Sequence, residues 1–219
     1  MAELVKWLTR QIVALLCKGS TPLFRPINEM NPFSRIFFKR RIMKNILIAG
    51  VAKSGKSTIC KKICEGGKYN HIPFDYITAS MKRNYPEWGV KSDVIINDTS
   101  IILCTLFKTM TDIINDTEEK FIIDCAHIYP HDIVNKLNLN KWKIIFVGYP
   151  NINMNEKISN IRKYDINGWT TKKSDEELKN IIGKLKKISK IIKKECDEYN
   201  FTFIDTSDNF EDVINNISL

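Results

Sequence analysis

From Met43 onward, apolar residues gather in five short runs rich in Ile, Val or Phe, at 45–49, 72–77, 120–125, 143–148 and 201–205. Runs of this length without polar alternation predict strands buried on both faces. Between them, apolar residues recur three and four apart, which predicts helices over 56–65, 99–115, 130–137, 155–164 and 174–198. The last opens on Ser174-x-x-Glu177, a capping box, and sets Leu178, Ile181, Ile182, Leu185, Ile188, Ile191 and Ile192 along one face. Alternation of strand and helix predicts an α/β domain whose parallel sheet is wrapped by helices, with any ligand at the carboxyl ends of the strands.

The first 42 residues read differently. Leu4, Val5, Leu8, Ile12, Leu15 and Leu16 form an amphipathic pattern, and 31–41 is basic and aromatic, as suits an arm for a membrane surface or a partner. Lys6 and Arg10 interrupt the apolar region, which argues against a signal peptide. The other account is a start codon placed too far upstream, because Met43-Lys44-Asn45-Ile46 is an ordinary beginning for a protein whose first strand follows at once. The domain division is therefore 1–42 as an extension and 43–219 as the folded unit.

Charge narrows the function classes. The net charge of +9 is uneven: residues 1–42 hold eight basic and two acidic side chains, while the rest holds 26 and 23, a balance of +3. A nearly balanced folded unit argues against nucleic acid as a partner. No apolar run reaches the roughly 20 residues of a membrane-spanning helix. The six cysteines, at 17, 60, 64, 104, 125 and 196, contain no C-x-x-C pair, which predicts a reduced, cytoplasmic protein without a disulfide framework. His127 and His131 are four apart, but Pro130 between them spoils a helical metal pair.

The strongest chemical signal is Gly50-Val51-Ala52-Lys53-Ser54-Gly55-Lys56-Ser57, a G-x-x-x-x-G-K-S loop between a strand and a helix. Gly50 and Gly55 let successive backbone N–H groups converge on an anion, and the following helix adds the positive end of its dipole. Lys56 supplies a mobile positive charge for the outer phosphates of a nucleotide, and the Ser57 hydroxyl suits the magnesium ion that travels with them. Lys53, Ser54 and Thr58 complete the cradle and the first helical turn. Four further positions stand out. Asp124 ends an apolar strand, where a second hold on magnesium is expected; capping of the turn at Pro130 is the alternative. Asp75 sits inside the apolar run 72–77, as a group that binds or deprotonates an acceptor hydroxyl, or as a structural carboxylate held by backbone N–H groups. Arg83 and Arg162 are the two arginines beside 24 lysines from Met43 onward, and either chance or the need for a planar phosphate-gripping fork explains them. Arg83 would lie in an acceptor-binding segment, and Arg162 in a polar stretch, 151–173, that could close as a lid. Thr206, in the loop after the fifth strand, borders an adenine or caps the last helix.

From Met43 to Leu219 this order of parts resembles the small P-loop kinases, the superfamily of adenylate, shikimate and gluconate kinases. The resemblance rests on GVAKSGKS at 50–57, FIIDCAHIYP at 121–130, Ile161-Arg162-Lys163-Tyr164 with Gly168-Trp169-Thr170-Thr171, and Phe203-Ile204-Asp205-Thr206-Ser207. The later motifs look similar to those of uncharacterised bacterial members. It implies a three-layer P-loop NTPase fold, a five-stranded parallel sheet of order 2-3-1-4-5, a lid, and ATP with Mg2+ as cofactors. Two arginines are few for the two phosphates of a nucleotide acceptor, so a sugar, sugar acid, nucleoside or antibiotic alcohol fits better. The leading expectation is ATP-dependent phosphoryl transfer to a small hydroxylated acceptor, with Lys56, Asp75 and Arg162 as catalytic groups. A nucleotide-dependent switch or regulatory ATPase is the alternative. For a GTPase, the nearest guanine clamp, Asn135-Lys136-Leu137-Asn138, lacks its acid.

Overall fold

A computed structural model of the protein describes residues 43–90 and 101–217. The extension at 1–42 and the first two positions of the helix predicted over 99–115 lie outside the described residues. Five parallel strands form one sheet: β1 (Asn45–Gly50), β2 (Asn70–Pro73), β3 (Phe121–Cys125), β4 (Trp142–Gly148) and β5 (Thr202–Asp205). Their order is β2-β3-β1-β4-β5, as the kinase resemblance implies. The helices are α1 (Lys56–Cys64), α2 (Phe74–Asn84), α3 (Ile101–Asn115), α4 (Pro130–Ile133), α5 (Met154–Tyr164), α6 (Asp175–Tyr199) and α7 (Phe210–Asn215).

Three layers follow from the two-residue period of the strands. Leu47 and Ala49 of β1, Ile123 of β3 and Ile144 and Phe146 of β4 join one core with Leu103 and Phe107 of α3, Ile158 of α5 and Leu178 and Ile182 of α6. Their neighbours Ile46, Ile48, Ile122, Ile145 and Val147 face the other side, where Ile59 and Cys60 of α1 and Ile214 of α7 meet them. Central strands buried on both faces must be apolar throughout, and β1 and β3 are buried at every residue. Connections between parallel strands leave the carboxyl ends of β1, β3 and β4 side by side, which is where the site is built.

Helix α6 begins as its sequence predicts. Ser174 Oγ accepts from the Glu177 N–H at 3.2 Å, and Glu177 Oε2 accepts from the Ser174 N–H at 2.8 Å. Leu178, Ile182, Leu185 and Ile192 are buried, but Ile191 is exposed, at the margin of the apolar stripe. Gly183 lies in the interior of this helix, and a methyl group there would make only ordinary contact with Met154 Cε at 3.6 Å. Gly183→Ala is therefore expected to stabilise the protein by about 1 kcal/mol, the helix-propensity difference, as read by chemical denaturation.

Two elements depart from expectation. The strand predicted over 72–77 ends at Pro73, and Phe74 opens α2. Phe74, Thr78 and Met81 are buried at helical spacing, so the apolar run serves two elements. The helix predicted over 130–137 stops at Ile133, because Asn135 adopts a left-handed φ of 64° that no helix continues through. Among the described residues, no helix is long and apolar enough to cross a membrane, and the five cysteines are free thiols.

Candidate active site

Strand β1 ends at Gly50, whose φ of 127° turns the chain across the ends of the sheet. The loop runs to Gly55, left-handed at φ 96°, which caps α1. Two residues just past the neighbouring strands hold this loop: the Tyr149 hydroxyl donates to the Ala52 carbonyl at 2.9 Å, and Thr206 Oγ1 lies 3.1 Å from the Ser54 carbonyl, and equally far from that of Gly148 at the end of β4. Lys56 Nζ, itself buried, donates to the Val51 carbonyl at 2.7 Å. Its charge is thus held inside the curl of the loop, at the N-terminus of a nine-residue helix. Ser54 Oγ is buried without a hydrogen-bond partner among the described residues, a donor left over beside the cradle.

The loop forms one wall of a cleft of about 1000 Å³. That is ample for a nucleotide with a small second ligand. Lys53, Gly55, Lys56, Ser57, Thr58, Asp75, Asp124 and Thr206 all line it. Asp124 stands opposite Ile48 in the sheet register, so its carboxylate meets α1, where Ser57 Oγ donates to Asp124 Oδ2 at 2.5 Å. A hydroxyl and a carboxylate converging beside a helix N-terminus are the oxygen ligands that magnesium prefers. The residues fit that ion.

Asp75, in the first turn of α2, lines the same cleft as the loop. Its Oδ1 lies 3.3 Å from His127 Nε2, on a ring that is almost fully buried just after β3. Partial desolvation would raise the Asp75 pKa, but the His127 hydrogen bond, the charges of His127 and Lys56 and the Ala126 N–H outweigh it and hold the carboxyl below its usual range. Asp75 is therefore ionised at neutral pH.

The stretch 151–173 forms α5 and a short 3-10 helix, Trp169–Lys172. Lys53 reaches it from the phosphate loop, bonding Asp165 Oδ2 at 2.6 Å and passing over the Trp169 ring. Asp165 also accepts from the Thr170 hydroxyl. The guanidinium of Arg162 points into this segment instead of the cleft: Nε and Nη2 bond Asp175 Oδ1 at 3.0 and 2.8 Å, and the remaining donors reach the carbonyls of Thr170 and Lys173. Arg162 thereby ties the stretch to the start of α6. Arg83, exposed in the last turn of α2, does not line the cleft either.

The cleft holds a cation that composition could not single out. Lys157 of α5 is buried, with Nζ 4.5 Å from the Tyr149 ring centroid. Burial, with Lys53 and Lys56 nearby and only Glu156 opposing them, lowers its pKa to about 8. The folded value lies below the free-lysine value, so the unfolded chain holds more protons between them, and the stability of the ligand-free protein is expected to rise with pH above about 8. Lys157→Met should flatten that rise in denaturant titrations at alkaline pH. Tyr149, Asp165 and Lys157 carried no local signal in sequence, and the spacing of His127 to His131 gave no hint of its contact with Asp75, since each acquires its partner through the fold.

Neither a protein-family model nor a curated protein sequence matches the chain. Solved structures do. A shikimate kinase from Bacteroides thetaiotaomicron superposes with a TM-score of 0.50 at 14% identity, over 78% of this chain and 94% of that one. A gluconokinase from Sinorhizobium meliloti 1021 gives 0.51 at 13%, over 80% and 90%. A shikimate kinase from Acinetobacter baumannii, solved in complex with shikimate, gives 0.50 at 13%, over 80% and 90%. With its five-stranded parallel sheet of order β2-β3-β1-β4-β5 and a glycine-rich loop at the end of β1, the chain has the fold of the small-molecule P-loop kinases.

Proposed function

We propose that this protein transfers the γ-phosphoryl group of ATP to a hydroxyl of a small acceptor. The observation that carries the reading is an ionised carboxylate, Asp75, lining the same cleft as Lys56 and the phosphate loop, together with the bonded pair Ser57 and Asp124. The backbone N–H groups of the loop and Lys56 bind the phosphates. Ser57 and Asp124 would hold magnesium, which supplies positive charge against the charge that develops on the transferred group. Asp75 orients the acceptor hydroxyl and takes its proton as the new oxygen–phosphorus bond forms and the bond from the γ-phosphorus to ADP breaks. His127 fixes the Asp75 rotamer and keeps it charged. Lys157 of α5 and Lys53 of the loop, both lining the cleft, add positive charge there. Arg162 acts through the segment it braces and not by touching phosphate.

The fold's relatives include proteins named for shikimate and gluconate, which agrees with an acceptor that is small and hydroxylated. Incubation with MgATP and a panel of sugar acids, sugars, nucleosides and aminoglycosides, followed by mass spectrometry, tests the reading. A phosphorylated product is expected; ADP release without any phosphorylated acceptor would favour the regulatory ATPase instead. Asp75→Asn, which keeps shape but cannot accept a proton, is expected to lower kcat about a hundredfold while leaving the Kd of ATP within about twofold. A kcat near wild type in that variant would remove Asp75 from the mechanism.

A further inference from the structure

Behind the phosphate loop lies a cluster of which phosphoryl transfer uses only Asp124. Cys60, one turn along α1 from Ser57, is fully buried; His71 of β2 is half-buried; Asp124 lies between the two elements. One ligand atom from each, a sulfur, a ring nitrogen and a carboxylate oxygen, all fall within 4.8 Å of one another. His71 Nε2 is buried and has no hydrogen-bond partner among the described residues, with Asp124 Oδ2 at 4.0 Å, too far to bond. A buried ring nitrogen without a partner is costly, and here it is aimed at a thiol and a carboxylate.

We propose that Cys60, His71 and Asp124 form a zinc site, and that zinc bound there competes with magnesium for Asp124. The donor set is mixed sulfur, nitrogen and oxygen, which suits a borderline-soft ion and not magnesium, whose ligands are oxygens. Tetrahedral bonds of about 2.0 to 2.3 Å require ligand atoms somewhat less than 4 Å apart, within reach of small side-chain rotations from the present spacing. Zinc displaces the Cys60 thiol proton to solvent, so that a thiolate, a carboxylate and a neutral imidazole leave the buried site with no net charge. Three protein ligands leave a fourth position for water, and the partial exposure of His71 gives the ion its way in.

Occupancy has a consequence for the neighbouring chemistry. The same Asp124 oxygen, Oδ2, accepts from Ser57, so a zinc-held carboxylate is withdrawn from the magnesium position. This consequence rests on the proposed phosphotransferase reading; the metal site does not.

The full-length protein, freed of metal with a chelator and kept reduced, is titrated with Co2+ as a spectroscopic stand-in for zinc. A near-ultraviolet sulfur-to-cobalt charge-transfer band that saturates at one equivalent and is displaced by zinc is expected. Cys60→Ala should abolish the band, and His71→Ala, on a half-exposed edge-strand position, should weaken cobalt binding by more than about tenfold, beyond the loss of an outer-shell partner. Absence of the band in the wild-type protein, or its persistence in folded Cys60→Ala, overturns the site. The wild-type spectrum and His71→Ala decide the matter if Cys60→Ala does not fold. Mg-ADP binding, followed by calorimetry with and without zinc, then tests the competition: weakening in the wild type but not in Cys60→Ala supports it, and equal binding with and without zinc overturns it.

Discussion

Lys56→Met is expected to lower turnover with MgATP and the acceptor by about a thousandfold, the largest functional loss of any single substitution in the cleft. The side chain is buried at the N-terminus of α1 with its ammonium on the Val51 carbonyl, so it is already desolvated and directed into the loop before any ligand arrives. A preorganised charge of this kind stabilises the transferring phosphoryl group without reorganisation, and removal of one such donor costs about a hundred- to a thousandfold. The upper end applies because Arg162, the cation expected to share the task, is bonded instead to Asp175 and to the carbonyls of Thr170 and Lys173. Methionine retains the apolar stem, so the melting temperature should stay close to wild type while single-turnover rates collapse. A variant that keeps more than a tenth of the wild-type rate would show that Lys53 or Lys157 carries the charge.

How far the site was legible in the sequence depended on whether its chemistry is local. The phosphate loop packs its glycines, lysine and hydroxyl into eight consecutive residues, and the strand before it and helix after it are apolar in their own periods, so its place needed no knowledge of distant contacts. Asp124 was legible for a related reason, as an acid that interrupts a fully buried strand at its carboxyl end. Asp75 is marked by the same cost of charge among apolar neighbours, yet it stands in a helix and not in a strand. Phe74-Asp75-Tyr76-Ile77 satisfies a strand's composition, and only the burial of Thr78 and Met81 with Phe74 reveals the helix. The two arginines show what composition leaves open: Arg162 bonds Asp175 and the carbonyls of Thr170 and Lys173, and Arg83 does not line the cleft. Rarity did point to a planar fork, but forks serve backbone carbonyls and a carboxylate as well as they serve phosphate. Lys157 is the converse case: one lysine among 24 beyond Met43 has no compositional mark, and what distinguishes it is burial over Tyr149, a property that exists only once α5 has docked.

Gly50→Ala is expected to cost the fold itself about 4 kcal/mol and to lower the melting temperature by about 10 °C, with expression yield falling in step. Gly50 is both the last residue of β1 and the first of the phosphate loop, and its φ of 127° lies where an L side chain is strained by about 1 to 3 kcal/mol. Space is the second term. Gly50 pairs with Val147 in β4, and a methyl group would lie 2.8 Å from the Val147 amide nitrogen and closer still to its carbonyl oxygen. Backbone at the centre of a five-stranded sheet cannot move aside as a flexible side chain would, so either the β1–β4 ladder opens or the loop is thrown out of its curl. Gly66→Ala, after α1, supplies the contrast: its nearest neighbour would be the Ile63 carbonyl at 3.8 Å, and its φ is not positive. Alanine there should shift the melting temperature by no more than about 2 °C, since substitutions at open positions stay within about half a kcal/mol. Circular dichroism melts of the two variants side by side separate the cost of this one close approach from the general cost of replacing glycine. Equal, small shifts in both would mean that β1 and β4 do not approach as described, and the geometry on which the loop's position rests would fall with them.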